Sequence, residues 1–459
     1  MNKRAVSSLV FGLFLAACAE GTSTTEVGRR DSAELSLPPM KSFVAAPSVS
    51  RSGRSNASIA QDFMDLTFQF ESGATLKTFS RIEGPITLRV LGKAPKSLNR
   101  DLDRLLKRLS AEAGIYIDKV PADEDAVITI DVRSASEIKS AGGNAACFVH
   151  PNVSDWEEYK ATKRTSGWNG LEYRDRMAIF LPADRSPQLI LECLHEELAQ
   201  ALGPVNDLWR LDDSILNDDN IRTVLTPFDM TILKATYSSE LRTGMSRMEV
   251  AARLPGILDR INPAGRGGGA TSAARTTASW EKNLTAALNR KNPMSKRQSS
   301  ATKAVEIARK AGWTDNRLAF SLLELGRVSR TKNPKLALQS FLEAGKIYED
   351  RSTTDVHAAT VAVEVSAFML RAGQPEVAIN LIDQHTRAAR DGQNAELLAM
   401  LLMIKAEALD SLGQASEAAT VRRESLGWAR YGLGSDRAVR QNLARVAALS
   451  PEPRTGETE

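Results

Sequence analysis

The residues most able to do chemistry lie in 194-LHEELAQALGPVND-207. A helix that holds a zinc ion presents two ligands at i and i+4, on one face, with a glutamate between them as general base. Counting from His195, the second ligand falls on Ala199, which has no donor atom. Shifting by one residue changes the result. Glu196 and Gln200 then stand at i and i+4, Glu197 takes the general-base place, and Gly203 and Asn206 follow at helix-exit spacing. His195 cannot join that set, because it points about 100° around the helix from Glu196. It reads as a packed or solvated helix residue.

In this register 196-EELAQALGPVN-206 resembles the metzincin pattern His-Glu-x-x-His-x-x-Gly-x-x-His, with Glu196, Gln200 and Asn206 in the three ligand positions. The resemblance implies a glycine that turns the chain sharply, and a later closing helix. That helix is matched by 225-LTPFDMTILKATY-237, a Thr-x-x-Asp start leading to Tyr237. Between them, 212-DDSILNDD-219 lacks the methionine of the family's turn. The motifs Glu-Glu-Leu-x-Gln-x-Leu-Gly, Ser-Ile-x-Asn-Asp and Leu-Thr-Pro-x-Asp also resemble a proteobacterial lipoprotein family carrying a domain of unknown function, over roughly residues 80 to 250.

Donor chemistry bears on whether such a site works. Amide carbonyls are weak zinc ligands, and carboxylate with carbonyl suits Ca²⁺ or Mg²⁺ better. One carboxylate among three positions falls short of the usual three good donors. Two readings follow. One is a catalytically inactive metallopeptidase-like domain. The other is an unusual metal-dependent peptidase with Glu196 and Gln200, with Asn206 or Asp207, around the metal and Glu197 as base. A side-chain hydrogen bond between Glu196 and Gln200 is expected in the first. Asp212, Asp213, Asp218 and Asp219 do not follow the calcium-loop spacing and read as a solvated acidic turn. No Gly-rich phosphate loop and no nucleophile elbow occur, so no cofactor is expected.

The elements that must position these residues follow from periodicity. Strands are expected at 86-ITLRVLG-92, 115-IYIDKV-120, 126-AVITIDV-132, 147-CFV-149 and 177-MAIFL-181. Helices are expected at 98–114 and, opened by Ser186-Pro187, from Pro187 to Leu202. Leu189, Ile190, Leu194, Leu198, Ala201 and Leu202 form the buried stripe of the second. The resulting fold class is a mixed, metzincin-like α+β domain over 59–255. A Gly/Ala/Thr-rich linker follows at 256–279, then an all-α domain over 280–450 and a disordered tail at 451–459.

In the all-α part, 337-ALQSFLEAGKIY-348, 378-AINLIDQHTRAA-389 and 418-AATVRRESLGWA-429 repeat one pattern about every 40 residues. Helix hairpins stacked in a solenoid fit this spacing, and the alanines resemble tetratricopeptide-like repeats. An irregular helical bundle is the alternative. Solenoid surfaces bind other proteins, so a protein partner is expected there. The basic run 289-NRKNPMSKR-297 reads as a solvated hairpin.

Lys3 and Arg4 precede an apolar run from Ala5 to Ala17 that is too short to span a bilayer. Leu15-Ala16-Ala17-Cys18 resembles a bacterial lipobox, which implies a signal peptide over 1–17 and an acylated Cys18. An ordinary secretory signal is the alternative. Ala19, where an inner-membrane retention signal has Asp, points to the outer membrane facing the periplasm. Residues 18–58 are rich in Ser, Thr, Gly, Pro and Ala and read as a flexible tether reaching on the order of 35 Å. Of three cysteines, Cys147 and Cys193 remain, a disulfide in an oxidising compartment or else two buried thiols. A net charge of +4 over 459 residues gives no case for nucleic acid, and a cytoplasmic regulator is disfavoured by the lipobox.

Overall fold

The computed structural model describes residues 36–44, 47, 53–70, 73–142, 145–168, 171–270, 274–351 and 355–450. The expected signal peptide, Cys18 and the 451–459 tail lie outside the described residues. The chain divides into two compact units, with the main break between Ala278 and Ser279.

The first unit is α/β. Its helices are α1 (Asn56–Phe68), α2 (Lys96–Arg108), α3 (Ala135–Gly142), α4 (Trp156–Thr162), α5 (Pro187–Leu202), α6 (Pro227–Thr236) and α7 (Arg247–Ile261). Its strands are β1 (Ile86–Leu91), β2 (Ile117–Lys119), β3 (Ile128–Arg133), β4 (Phe148–Pro151) and β5 (Met177–Pro182), in sheet order β2-β1-β3-β5-β4. All pairings are parallel except β4 with β5. The inner strand β5 is buried along its whole length, as its continuous apolar run requires, and the central strand β3 is buried up to Val132 although it carries Thr129 and Asp131. Every strand expected from alternation is present, each within a few residues. The helix expected over 98–114 ends its last turn as a π-turn, Leu109–Ala113, closed by Gly114 at φ 72°.

Two expected boundaries are corrected. The tether does not run to residue 58: α1 begins at Asn56, capped by Ser55, whose hydroxyl accepts from the Ser58 amide. Residues 36–44 are also not free coil, for they pack on the second unit as described below. The α/β unit does not end at 255, because α7 runs through that position to Ile261 with Pro255 inside it. The stripe Val250, Leu254, Ile257 and Leu258 is buried, and burial of four apolar side chains outweighs one broken helix hydrogen bond. The start of the expected linker is likewise packed: Asn56 Nδ2 donates to the Asn262 carbonyl at 3.2 Å and Ser55 Oγ to that of Gly269 at 2.8 Å.

The second unit is all helical among its described residues. It comprises α8 (Ala278–Leu288), α9 (Met294–Lys310), α10 (Asn316–Ser329), α11 (Pro334–Glu349), α12 (Asp355–Arg371), α13 (Pro375–Asp391), α14 (Ala395–Ser411), α15 (Ala415–Gly432) and α16 (Asp436–Ala447). Helical repeats are present: α11, α13 and α15 start at Pro334, Pro375 and Ala415, about 40 residues apart. The small-residue positions close the helix pairs, with Ala337, Ala344, Ala378 and Ala418 fully buried. The turns recur too. Gly373 and Gly413 both take φ 73°, and the residue after each donates back to a carbonyl five residues earlier, Gln374 to Met369 and Gln414 to Leu409, at 2.9 Å.

Candidate functional site

Helix α5 starts as its sequence requires, with Ser186 Oγ accepting from the Leu189 amide and Pro187 in the first turn. All six expected stripe residues are buried, and most others are too. Past Pro187 in the first turn, only Glu192, Glu196 and Gln200 are half-open, four residues apart on one face. Two of the three ligand-like positions therefore do share a face. Glu197, the general-base position, is on the buried side at 5 % exposure.

The partner expected for Gln200 is corrected. Its Nε2 donates to Asp207 Oδ2 at 3.1 Å, so it is turned towards the chain leaving the helix and not towards Glu196. A carboxylate accepts a stronger hydrogen bond than the neutral alternatives, and Asp207 is mostly buried. Asn206 is buried and donates from Nδ2 to the Asp65 carbonyl at 3.2 Å, while the Val205 amide donates to the Leu66 carbonyl at 2.8 Å. The segment after α5 is thus fastened to the last turn of α1, where free helix carbonyls await donors.

Gly203 is needed for a different reason from the sharp turn implied by the resemblance. Its φ of −172° is open to any residue, but a Cβ there would lie 2.9 Å from Thr236 Cγ2. Close approach of α6 excludes a side chain.

His195 is packed, 4 % exposed, and Nδ1 accepts from the Leu225 amide at 3.0 Å. The ring is the Nε2–H tautomer. Burial, reinforced by the Arg108 and Arg104 charges, pushes its pKa well below the ordinary imidazole value, so it stays neutral.

Arg174 has no sequence signature, yet it holds the end of α5. Nη1 donates to the carbonyls of Gln200 (2.6 Å) and Ala201 (3.0 Å), Nη2 to Gly203 (2.6 Å), and Nε to Ser80 Oγ (3.2 Å). A guanidinium at a helix C-terminus meets both the unpaired carbonyls and the negative end of the dipole. Burial lowers its pKa to about 10, still far above neutrality. Tyr237 Oη donates to the neighbouring Leu202 carbonyl at 3.1 Å, and burial raises its pKa.

The acidic loop is not the solvated turn that its composition implies. Asp212, Asp213 and Asp219 are each under 5 % exposed. Backbone amides and arginines take up their charge. Asp219 Oδ1 accepts from the Ile221 amide at 3.0 Å, and Asp213 Oδ1 pairs with Arg54 at 3.0 Å. Arg210 reaches from the same loop to α1, with Nη2 2.5 Å from Asp62 Oδ1 and 2.9 Å from Asp65 Oδ2; Arg54 also pairs with Asp62. Asp229 holds the loop to α6. It completes a capping box with Thr226, and also accepts from Ser214 Oγ (2.5 Å) and the Ile215 amide (3.1 Å). Burial pushes the Asp229 carboxyl up to about 6, against the pull of these donors.

Cys147, just before β4, is bonded to Cys193 in α5, with the Cα atoms 5.9 Å apart. The bridge ties the working helix to the edge strand. Elsewhere in this unit, a cleft of about 790 Å³ is lined by Ile59, Glu112, Phe228, Met230, Lys234 and Pro263 among others. Among the described residues no group of three or more His, Cys, Asp or Glu side chains is placed to hold a metal ion. The ligand set implied by the metzincin resemblance does not fit zinc here: two of its members are amides, and both are already engaged.

The fold and site together define a mixed α/β domain with a hydrogen-bonded helix-and-loop centre, followed by helical repeats. Residues 56–256, from the first residue of α1 into α7, match the family described as "Protein of unknown function (DUF2927)". No curated protein matches the chain.

Proposed function

We propose that the chain is a lipid-anchored envelope protein that binds other proteins: a metallopeptidase-like domain without catalysis, joined to tetratricopeptide-like repeats, with the outer membrane facing the periplasm as its address. The observation that carries this reading is the engagement of the ligand positions. Gln200 is bonded to Asp207 and Asn206 to the main chain of α1, so freeing them for a metal would break the contacts that position the loop. Burial of Glu197 supports it, since a general base must reach water. The lipobox-like Leu15-Ala16-Ala17-Cys18 and a disulfide that suits an oxidising compartment support the address.

Two measurements test this. Elemental analysis of the chain purified without chelator is expected to find no zinc retained at Glu196, Gln200 and Asn206. Near-stoichiometric zinc lost in Glu196→Ala and Gln200→Ala, with peptide hydrolysis lost in Glu197→Gln, would overturn it in favour of a peptidase. Metabolic labelling with a fatty-acid analogue is expected to mark Cys18 and to vanish in Cys18→Ala; an unlabelled mature chain removes the membrane anchor from the reading.

A further inference from the structure

Residues 36–44, Ser-Leu-Pro-Pro-Met-Lys-Ser-Phe-Val, lie along α15 of the helical unit. Phe43 is 6 % exposed and stacks on Trp428, ring centroids 4.7 Å apart, with its edge towards Tyr431 at 6.2 Å. The backbone is held at two points. The Lys41 amide donates to the Gly427 carbonyl at 2.9 Å, and Arg430 Nη1 donates to the Pro38 carbonyl at 2.9 Å. Lys41 Nζ is 3.4 Å from Glu424 Oε1 and lies over the Trp428 ring.

Gly427 makes this approach feasible: a Cβ there would sit 3.0 Å from Lys41 Cγ and 3.4 Å from the Pro39 carbonyl oxygen. A helix surface that needs only solvent has no use for such a gap. Pro38-Pro39 adds the other half of a recognition pair, since prolines pre-set an extended backbone and reduce the ordering cost of docking in an aromatic-lined groove.

We propose that α15 carries an extended-peptide groove whose occupant is this chain's own segment 36–44, and that the docked segment makes the helical unit the first folded body the membrane leash meets. The second half rests on the lipid-anchored reading above. From Cys18 to Ser36 the chain advances 18 residues, and to the start of α1 at Asn56 it advances 38. Whatever its conformation, the shorter length spans at most roughly 60–65 Å and the longer roughly 125–135 Å. Docking therefore halves the greatest height at which the first body is held, without changing the anchor. It sets a repeat surface, not a free coil, within reach of the bilayer.

Hydrogen exchange on the full-length protein tests the groove. The Lys41 amide is expected to exchange at least roughly tenfold more slowly than in an unstructured peptide, and to lose that protection in Phe43→Ala and in Gly427→Leu. Phe43 lies outside every helix, so its variant leaves the helical circular dichroism unchanged even where Gly427→Leu disturbs folding. Coil-like exchange at Lys41 in the wild type overturns the groove. For the leash, lipidated protein in phosphatidylethanolamine vesicles is treated with an amine-reactive crosslinker. Headgroup adducts on lysines of α8–α16 are expected in the wild type and to fall in Phe43→Ala; adducts unaffected by Phe43→Ala overturn the leash. A protein with protected Lys41 and no lipid on Cys18 refutes the anchored reading and leaves the groove standing.

Discussion

The Asn206 side-chain amide donates to the main-chain carbonyl of Asp65 at 3.2 Å, joining the exit of α5 to the last turn of α1 across 141 residues of sequence. The position that a metal-binding resemblance assigns to a third ligand is thus a structural tie. Asn206→Ala leaves that carbonyl without its donor inside the protein, at a cost of about 1–3 kcal/mol. Urea unfolding of the purified chain measures it. An unchanged midpoint would show that the tie contributes nothing.

Arg174 supports the same helix end. Arg174→Met removes donors from three carbonyls at once, those of Gln200, Ala201 and Gly203. The expected loss is on the order of 3 kcal/mol or more, with Arg174→Lys recovering only part because an ammonium lacks the planar fork. Thermal or urea unfolding of the two variants gives the ranking wild type, Lys, Met.

The Cys147–Cys193 bridge closes a loop of 46 residues. In the chain-entropy account such a closure contributes about 4 kcal/mol through the unfolded state. Free-thiol titration of the denatured, unreduced protein is expected to find neither thiol, and the double variant Cys147→Ser/Cys193→Ser is expected to unfold at markedly lower urea. Two titratable thiols per chain would contradict the bridge.

His195 gives the protein an acid sensitivity. Its folded pKa is depressed below 6.5 by burial and the Arg108 and Arg104 charges, so between that lower value and 6.5 the unfolded chain binds the extra proton. Stability from this residue is therefore intact above about pH 7 and is lost as pH falls through 6.5. Asp229, raised to about 6, acts in the opposite sense: its contribution is present at low pH and lost as pH rises through 6. Comparing wild type with His195→Gln isolates the first effect. The stability difference is expected to shift in the variant's favour from pH 7.5 to pH 5.5, and a difference that does not change with pH would rule it out.

Much of the architecture was legible from local pattern. Alternation located the strands, Ser186-Pro187 and Thr226-Pro227-x-Asp229 announced helix starts, and the 40-residue period exposed the repeats. Helix α1 was missed because Asp62 and Asp65 stand among its buried residues, which blurs the apolar stripe that marks a helix. The domain end falls at 255 in the sequence reading because Pro255-Gly256 reads as a stop, whereas α7 packs its apolar stripe through that position to Ile261.

By itself, the sequence determined the five strands, the starts of α5 and α6, the repeat period, the shared face of Glu196 and Gln200, and a cysteine pair fit to bridge. Those properties depend on neighbours within a helical turn or on composition. The tertiary structure decided what the face is used for. Gln200 turns to Asp207, Asn206 to Asp65, Arg174 to the end of α5, and Arg210 to Asp62 and Asp65. Most of these partners are separated by tens to more than a hundred residues, and no periodicity couples them. Only burial does so, since a charge or amide taken out of water must find its counterpart wherever the fold brings one near.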